Sequence, residues 1–196
     1  RKQLQRKIMQ ENLKVFLFRR MYKELYINHV YSPDGFLQML KPFMDAGDVV
    51  FNKSDGVFNF TFNGAQIYLC HAQHENDIQG YLGAEIHCLL IDEATQFTEK
   101  MIRFIRTRVR LGGLTVPDRW KKLLPKIIYG TNPGGISHSY FKRGFVSHGE
   151  GHVYNAPIQD GGMSREYVPA KSRENTIMLR NDPNYSQRIM GLGDDR

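Results

Sequence analysis

The chain has 196 residues, of which 41% are hydrophobic and 12% aromatic, so it can bury one core. Its apolar runs stay short of the roughly 20 residues that a membrane helix needs, and none follows Arg1-Lys2-Gln3, so we expect neither a membrane span nor a signal peptide. With two cysteines, Cys70 and Cys88, a disulfide scaffold is excluded and a reducing compartment is indicated. Since the chain does not open on Met, we expect a fragment of a longer protein.

The net charge of +7 and the pI of about 9.4 come largely from one segment. Its basic residues are Lys100, Arg103, Arg106, Arg108, Arg110, Arg119, Lys121, Lys122 and Lys126. Within 101–126, Asp118 is the only acid. Such a local excess indicates a polyanionic partner such as DNA or RNA, and the alternative is a solvated face that keeps the protein soluble.

The first elements alternate between helix and strand. Residues 3–14 have helical periodicity, and the apolar run at 15–18 predicts a short strand. The segment 19–25 then looks like a turn into another helix, and Ser32-Pro33-Asp34-Gly35 indicates a turn.

A hairpin is predicted next. Phe58, Phe60 and Phe62 alternate with polar residues, which is the period of a strand. Asn63-Gly64 follows, and a second strand-like run occupies 66–69. Asn-Gly between two such runs is a strong hairpin signal.

The apolar run at 86–91 ends in two adjacent acids, Asp92 and Glu93. The pattern predicts a buried strand that delivers both carboxylates to its carboxyl end, where open α/β sheets bind ligands. In nucleotide hydrolases with this pattern, the Asp holds Mg²⁺ through water and the Glu polarises the attacking water. The alternative is that both acids simply begin the next helix, where they suit the helix dipole.

A basic amphipathic helix is predicted from Thr98, as N-cap, to Gly112-Gly113. Its apolar face consists of Met101, Ile102, Ile105 and Val109, and its cationic face of Lys100, Arg103, Arg106 and Arg110. We expect the cationic face to contact DNA or a neighbouring subunit.

A further buried strand is predicted at 126–130, and it ends in Thr131-Asn132. The alternation of strands and helices favours an α/β fold, with a mostly parallel central sheet, helices on both faces and a β-hairpin. In a parallel sheet the tips at Asp92-Glu93 and Thr131-Asn132 lie on one edge, so the acids come within reach of a polar pair that could bind a γ-phosphate or its attacking water.

A phosphate loop and a zinc site are two further possibilities. No phosphate loop of the form G-x-x-x-x-G-K-[ST] occurs in these residues, so this chain alone should bind ATP weakly or not at all. Possible zinc ligands are Cys70, His71, His74, His87 and Cys88. Because their spacings are unusual for zinc, a buried Cys88 with polar histidines at strand ends is the favoured interpretation.

Taken together, these stretches resemble the ATPase domain of the large terminase subunit of tailed bacteriophages, the motor that packages DNA. The resemblance rests on VFLFRRMYKEL at 15–25, FNGAQI at 62–67, GAE at 83–85, LIDEATQFT at 90–98, RVR at 108–110 and TNPGG at 131–135, continuing to His138. The tail stretches YVPA at 167–170 and DPNY at 182–185 look like the segment that leads toward a nuclease domain.

The resemblance implies a P-loop NTPase fold of the ASCE type and a role for each matching residue. Asp92 would be the Walker B acid for Mg²⁺, and Glu93 the catalytic residue that orients water. Thr131 and Asn132 would form the coupling motif that senses the γ-phosphate. Some relatives carry a trans-acting Arg shortly before the Walker B strand, where this chain reads Tyr81-Leu82-Gly83, so no Arg finger is expected at that place. Arg108 and Arg110 can be named as substitutes, but the resemblance assigns this role to neither.

The resemblance also implies a domain organisation. An ATPase core would occupy 1–150, and 151–196 would be its extension. The phosphate loop is expected just before Arg1, the helix at 3–14 would follow that loop, and a nuclease domain is expected after Arg196.

The implied activity is Mg²⁺-dependent ATP hydrolysis coupled to translocation of double-stranded DNA into a prohead. The implied partners are a portal protein, a small terminase subunit and further copies of the chain in a ring, in the bacterial host cytoplasm and transiently at the portal. Two alternatives stay open: another DNA-dependent P-loop ATPase, and a non-catalytic nucleic-acid-binding or assembly module.

Overall fold

The computed structural model describes residues 11–170, 174, 176–185 and 187. The chain divides into two compact units, and the division falls between Asn132 and Pro133. The domain boundary predicted at 150/151 separates an ATPase core from its C-terminal extension, and it stays a prediction. None of the helices in these residues is both long and apolar enough to cross a bilayer.

Within the described residues, the first unit contains a six-stranded sheet in the order β2-β3-β4-β1-β5-β6. The strands are β1 (Lys14–Arg19), β2 (Val49–Asn52), β3 (Val57–Phe60), β4 (Gln66–His71), β5 (Cys88–Ile91) and β6 (Lys126–Tyr129). β4, β1, β5 and β6 are parallel, whereas β2 and β3 pair antiparallel. The predicted α/β fold with a mostly parallel sheet and a hairpin is confirmed.

β1 is a central strand because its apolar run can be buried on both faces of the sheet. Phe16, Leu17 and Phe18 are all buried, which is typical of a parallel strand that is covered on both sides. The register pairs Phe18 with Cys70 of β4 and with Ile91 of β5. The carboxyl ends of these strands therefore meet at one edge of the sheet.

Helices cover the sheet around a hydrophobic core. α1 (Tyr22–Leu25) continues directly into a π-helical turn at Tyr26–Val30, and α2 (Phe36–Asp45) and α3 (Glu99–Arg106) follow. One cluster of buried core residues consists of Leu17, Leu25, Tyr26, Val30, Val49, Phe58 and Leu69. The helix predicted at 3–14 lies mostly outside the described residues, but it does not reach residue 14, because β1 begins there.

β6 differs from the prediction of a buried strand. It is the last strand in the sheet order, and its residues alternate between exposed and half-buried, with Ile128 47% exposed. Because a strand at the edge has a neighbour on one side only, an apolar sequence alone does not ensure burial.

α3 ends earlier than predicted, at Arg106 and not at Gly112-Gly113. The backbone of Arg108–Arg110 pairs with Ile86, through an Ile86 N–H to Arg108 oxygen distance of 3.1 Å and an Arg110 N–H to Ile86 oxygen distance of 2.9 Å. Gly112 has another role: its φ is +50°, and a Cβ there would lie 2.1 Å from the Glu85 carboxylate. The predicted apolar face is confirmed for Met101, Ile102 and Ile105, which are buried.

The N-cap of α3 provides a test of local structure. The Thr98 hydroxyl accepts a hydrogen bond from the Met101 N–H at 3.3 Å and donates one to Glu75 at 2.9 Å. We expect Thr98→Ala to lower the free energy of unfolding by about 1 kcal/mol, because an N–H of the first turn loses its acceptor. Urea denaturation measures the effect, and Thr98→Ser should keep most of the stability. Equal losses in both variants would contradict a capping role.

The second unit contains α4 (His138–Gly144), the antiparallel strands β7 (Tyr154–Asn155) and β8 (Ser164–Arg165), and α5 (Thr176–Asn181). Arg165 is buried and forms an ion pair with Asp160 at 2.6 Å. The helix predicted at 183–192 falls largely outside the described residues.

Candidate functional site at the carboxyl edge of the sheet

Backbone hydrogen bonds continue beyond the ends of the strands. They hold in place the strand tips on which the predicted site residues lie. The Asp92 N–H donates to the Phe18 carbonyl at 2.9 Å, and the Gly130 N–H donates to the Ile91 carbonyl at 2.9 Å. The Ala94 N–H then donates to the Gly130 carbonyl at 2.8 Å. The tips of β1, β5 and β6 are thus adjacent, as the parallel arrangement predicts.

Asp92 lies among hydrogen-bond donors. Its Oδ2 accepts from Arg19 Nη1 and lies 2.8 Å from His29 Nε2, and its side chain is 30% exposed. The hydrogen bond from His29 and the charge of Arg19 hold the pKa of Asp92 below its ordinary value, against the opposing effect of partial burial. Asp92 is therefore an ionised carboxylate at neutral pH.

Glu93 has an unusual backbone for a residue with a side chain, with φ 50° and ψ 45°. Non-glycine residues in this left-handed region are uncommon, and they cluster at active sites, where the surrounding structure holds them. Here the Ala94 N–H that follows donates to the Gly130 carbonyl, and the Glu93 carbonyl accepts from the Gln96 N–H at 2.9 Å. The adjacent acids contact different partners: Asp92 contacts Arg19 and His29, and Glu93 contacts Asn132.

Asn132 connects the tip of β6 to the acid pair. Its Nδ2 donates to Glu93 Oε1 at 3.1 Å, and its backbone oxygen accepts from the Thr95 hydroxyl at 3.3 Å. Thr131 precedes it with an exposed side chain. The expected proximity of the two tips is thus present for Asn132 and Glu93, whereas γ-phosphate sensing by Thr131 and Asn132 stays a prediction.

The residues around Asp92 fit a magnesium ion bound through water. A Cβ at Gly130 would lie 3.1 Å from Asp92 Oδ1, so the glycine leaves space beside that oxygen. No group of three or more His, Cys, Asp or Glu side chains is placed to hold a metal among the residues that the structure describes. Mg²⁺ does not require such a cage, since one or two carboxylates, waters and substrate phosphates hold it.

The zinc site considered in the sequence would need such a group of ligands, and the described residues contain none. Cys70 is buried, and burial raises the pKa of its thiol to about 12, which disfavours the thiolate that zinc needs. Cys88 is half-buried, so its predicted burial is wrong, and His87 is the buried neighbour. His87 Nδ1 accepts from the Lys14 N–H at 2.9 Å, and Nε2 lies 2.9 Å from Glu85 Oε1.

The His87–Glu85 pair predicts a pH dependence of stability. The hydrogen bond from His87 lowers the pKa of Glu85 below its ordinary value of 4.5. A depressed carboxyl pKa stabilises the fold above the unfolded-state pKa, and the contribution disappears as the pH falls through the folded-state pKa. We expect wild type to exceed Glu85→Gln in free energy of unfolding at pH 7, with a difference that shrinks below pH about 4.5. Denaturation at several pH values measures this, and a pH-independent difference would contradict it.

The cationic face of α3 is partly neutralised. Lys100 Nζ lies 2.7 Å from Glu75, and Arg103 lies 2.8 Å from Glu99. Arg108 donates to the Leu82 carbonyl at 2.7 Å and lies over the Phe104 ring. Arg110 is exposed, but it lies beyond the end of α3 at Arg106 and is not on the predicted helix face. A contact of Lys100, Arg103, Arg106 and Arg110 with DNA or a subunit stays a prediction.

Arg19 and His29 belong to this site, although no sequence pattern singled them out. Arg19 ends a strand parallel to β5, and this pattern could have placed it beside Asp92. His29 has no comparable signal, because its position depends on the π-helical turn.

No protein-family model and no curated protein matches the sequence. Among solved structures, the large terminase of a thermophilic bacteriophage in complex with ATP-γ-S is similar, with a TM-score of 0.57 and 14% sequence identity. That alignment covers 95% of this chain and 38% of the terminase chain. The same terminase in complex with ADP aligns with a TM-score of 0.48 at 21% identity, over 72% of this chain and 31% of the terminase. The chain therefore has the fold of part of a bacteriophage large terminase, which confirms at the level of the fold the resemblance found in the sequence.

Proposed function

We propose that the full-length protein is the large terminase subunit of a tailed bacteriophage. It would hydrolyse ATP with Mg²⁺ and couple this reaction to translocation of double-stranded DNA into a prohead. The observation that carries the proposal is the contact of Asn132 with Glu93, beside Asp92, at the carboxyl edge of a sheet with a terminase fold. This is the edge where open α/β sheets bind ligands.

Each residue contributes to positioning or charge neutralisation, which account for most of the catalysis of phosphoryl transfer. When bound, Mg²⁺ neutralises charge on the phosphate oxygens. Asp92, ionised and held at the strand tip, is the residue that would bind the water shell of that ion. Glu93 accepts a proton from, or orients, the water that attacks the γ-phosphate. Asn132 fixes the Glu93 carboxylate and would pass a change at the phosphate to β6.

The phosphates need a second element. These residues contain no G-x-x-x-x-G-K-[ST] loop, whose backbone N–H groups and Lys would surround the phosphates. Activity is therefore proposed for the full-length protein and not for this chain alone, which spans 38% of the phage terminase chain in the alignment with the ATP-γ-S complex.

The proposed partners are those that the resemblance to large terminases implies. They are double-stranded DNA, a portal protein, a small terminase subunit and further copies of the chain in a ring on the prohead. The proposed location is the bacterial host cytoplasm, and the parent protein would also carry a nuclease domain. The net charge of +7 supports a polyanionic partner.

The test is ATP hydrolysis by the purified full-length protein, with and without linear double-stranded DNA and Mg²⁺. We expect DNA-stimulated hydrolysis that requires Mg²⁺ and is lost in Asp92→Asn. Asp118→Asn is the matched control, because Asp118 is highly exposed and pairs with Lys121 at the next turn of a short 3-10 helix. Hydrolysis that Asp92→Asn leaves intact would contradict the proposed site.

A further inference from the structure

The guanidinium of Arg19 is positioned between two acids. Its Nε lies 3.1 Å from Glu24 Oε2, and its Nη1 donates to Asp92 Oδ2. The Arg19 side chain is only 12% exposed, so the planar fork has little freedom to rotate. Glu24, from the first turn after β1, thus helps to aim Arg19 at the tip of β5.

His29 reaches the same carboxylate through a special piece of backbone. The π-helical turn is closed by the Tyr31 N–H, which donates to the Tyr26 carbonyl at 2.9 Å, and it is anchored by the buried side chains of Tyr26 and Val30. Single π turns are rare and frequently occur at functional sites, because they change the direction of the side chains that follow. Here the turn presents His29 Nε2 to Asp92 Oδ2 at 2.8 Å.

Both contacts involve the same oxygen of Asp92. Oδ2 receives Arg19 and His29, whereas Oδ1 lies on the side of Gly130, where a Cβ would come within 3.1 Å of it. Gly130 itself is exposed and is followed by Thr131 and Asn132. The two halves of the carboxylate therefore face different surroundings.

We propose that Arg19 and His29 are positioning residues, which hold Asp92 through Oδ2 and turn Oδ1 toward Gly130. The proposal rests on the proposed function, since Oδ1 is then the oxygen that faces the water shell of Mg²⁺. Groups that orient a metal-binding carboxylate in this way change metal affinity without touching the metal.

A different role would give the opposite result. If Arg19 and His29 blocked the carboxylate and had to leave before the metal bound, their removal would strengthen metal binding. The assignment of separate oxygens argues for positioning, because the contacts at Oδ2 leave the Gly130 side of Oδ1 uncovered by either residue.

The experiment measures Mn²⁺ binding to the full-length protein with ATP-γ-S by electron paramagnetic resonance. We expect His29→Ala to raise the Mn²⁺ dissociation constant about tenfold, as for other groups that orient metal ligands. His29→Gln should recover most of the affinity, because its amide Nε2 can still donate to Oδ2. His74→Ala, at an exposed histidine of a loop, is the matched control and should bind Mn²⁺ as wild type does.

A second measurement separates positioning from general destabilisation. The Mg²⁺ concentration for half-maximal hydrolysis should rise in His29→Ala, while the KM for ATP at saturating Mg²⁺ stays the same. Unchanged or tighter Mn²⁺ binding in His29→Ala would overturn the positioning role and leave the proposed function standing. If wild type itself bound neither Mn²⁺ nor ATP-γ-S, the proposed function would fail, and the positioning role with it.

Discussion

Replacing Glu93 by glutamine in the full-length protein should slow ATP hydrolysis by about 10²–10⁴-fold and leave ATP binding intact. The substitution removes the negative charge and the basicity that orient and activate water. It keeps the size of the side chain and the acceptor oxygen that Asn132 contacts at 3.1 Å. The geometry of the tip should therefore persist while the chemistry is lost.

Single-turnover hydrolysis and equilibrium binding of ATP together measure this effect. Glu99→Gln is the matched control: it makes the same chemical change at a residue that pairs with Arg103 on α3, and it should hydrolyse ATP at close to the wild-type rate. A non-catalytic nucleic-acid-binding module predicts unchanged function in Glu93→Gln. That outcome would leave the terminase fold in place but remove the assignment of Glu93.

Replacing Phe58 by alanine should lower the free energy of unfolding by about 3–5 kcal/mol. Phe58 is fully buried in the core cluster, with its ring centroid 4.2 Å from that of Phe51 and 5.5 Å from that of Phe36. The truncation removes these contacts and leaves a cavity between the hairpin and α2, which packed neighbours fill only in part.

Urea denaturation followed by circular dichroism measures the change, and Phe43→Ala provides the comparison. Phe43 lies on α2 with 45% of its surface exposed, so the same truncation should change the stability by about 0.5 kcal/mol or less. Similar losses in both variants would contradict the placement of the core between the hairpin and α2.

The strands that carry the site could be predicted because their apolar runs are short and end in polar or turn residues. β1, β5 and β6 occur at the predicted positions, and the hairpin across Asn63-Gly64 pairs β3 with β4. Parallel pairing then places Asp92 and Asn132 at one edge of the sheet. Their proximity can therefore be predicted from the topology alone, without knowing any individual tertiary contact.

The positions and ends of other elements depend on tertiary contacts, which the hydrophobic periodicity of the sequence does not reveal. α2 was not predicted, although Phe36, Leu37, Leu40 and Met44 have helical spacing and pack against the core, because Pro42 lies inside the helix and proline usually ends one. The end of α3 is set by backbone pairing with Ile86, and the exposure of β6 by its place in the sheet. The end of α3 and the exposure of β6 are therefore decided by the arrangement of neighbouring strands and not by the local sequence.

The environment of Asp92 was the least predictable part of the site. Its partner His29 is 63 residues away along the chain and is brought to it by a π turn, which no local sequence pattern in this segment indicates. Arg19 is more accessible to prediction, since any residue that ends a strand next to β5 lies near Asp92.

A crystal structure of the full-length protein with Mg²⁺ and ATP-γ-S tests the central claim most directly. We predict that the γ-phosphate lies at the carboxyl edge of β5 and β6, with Asp92 next to the water shell of Mg²⁺ and Glu93 and Asn132 facing the terminal phosphate. A nucleotide bound at another edge of the sheet, with Asp92 and Glu93 away from its phosphates, would contradict the account.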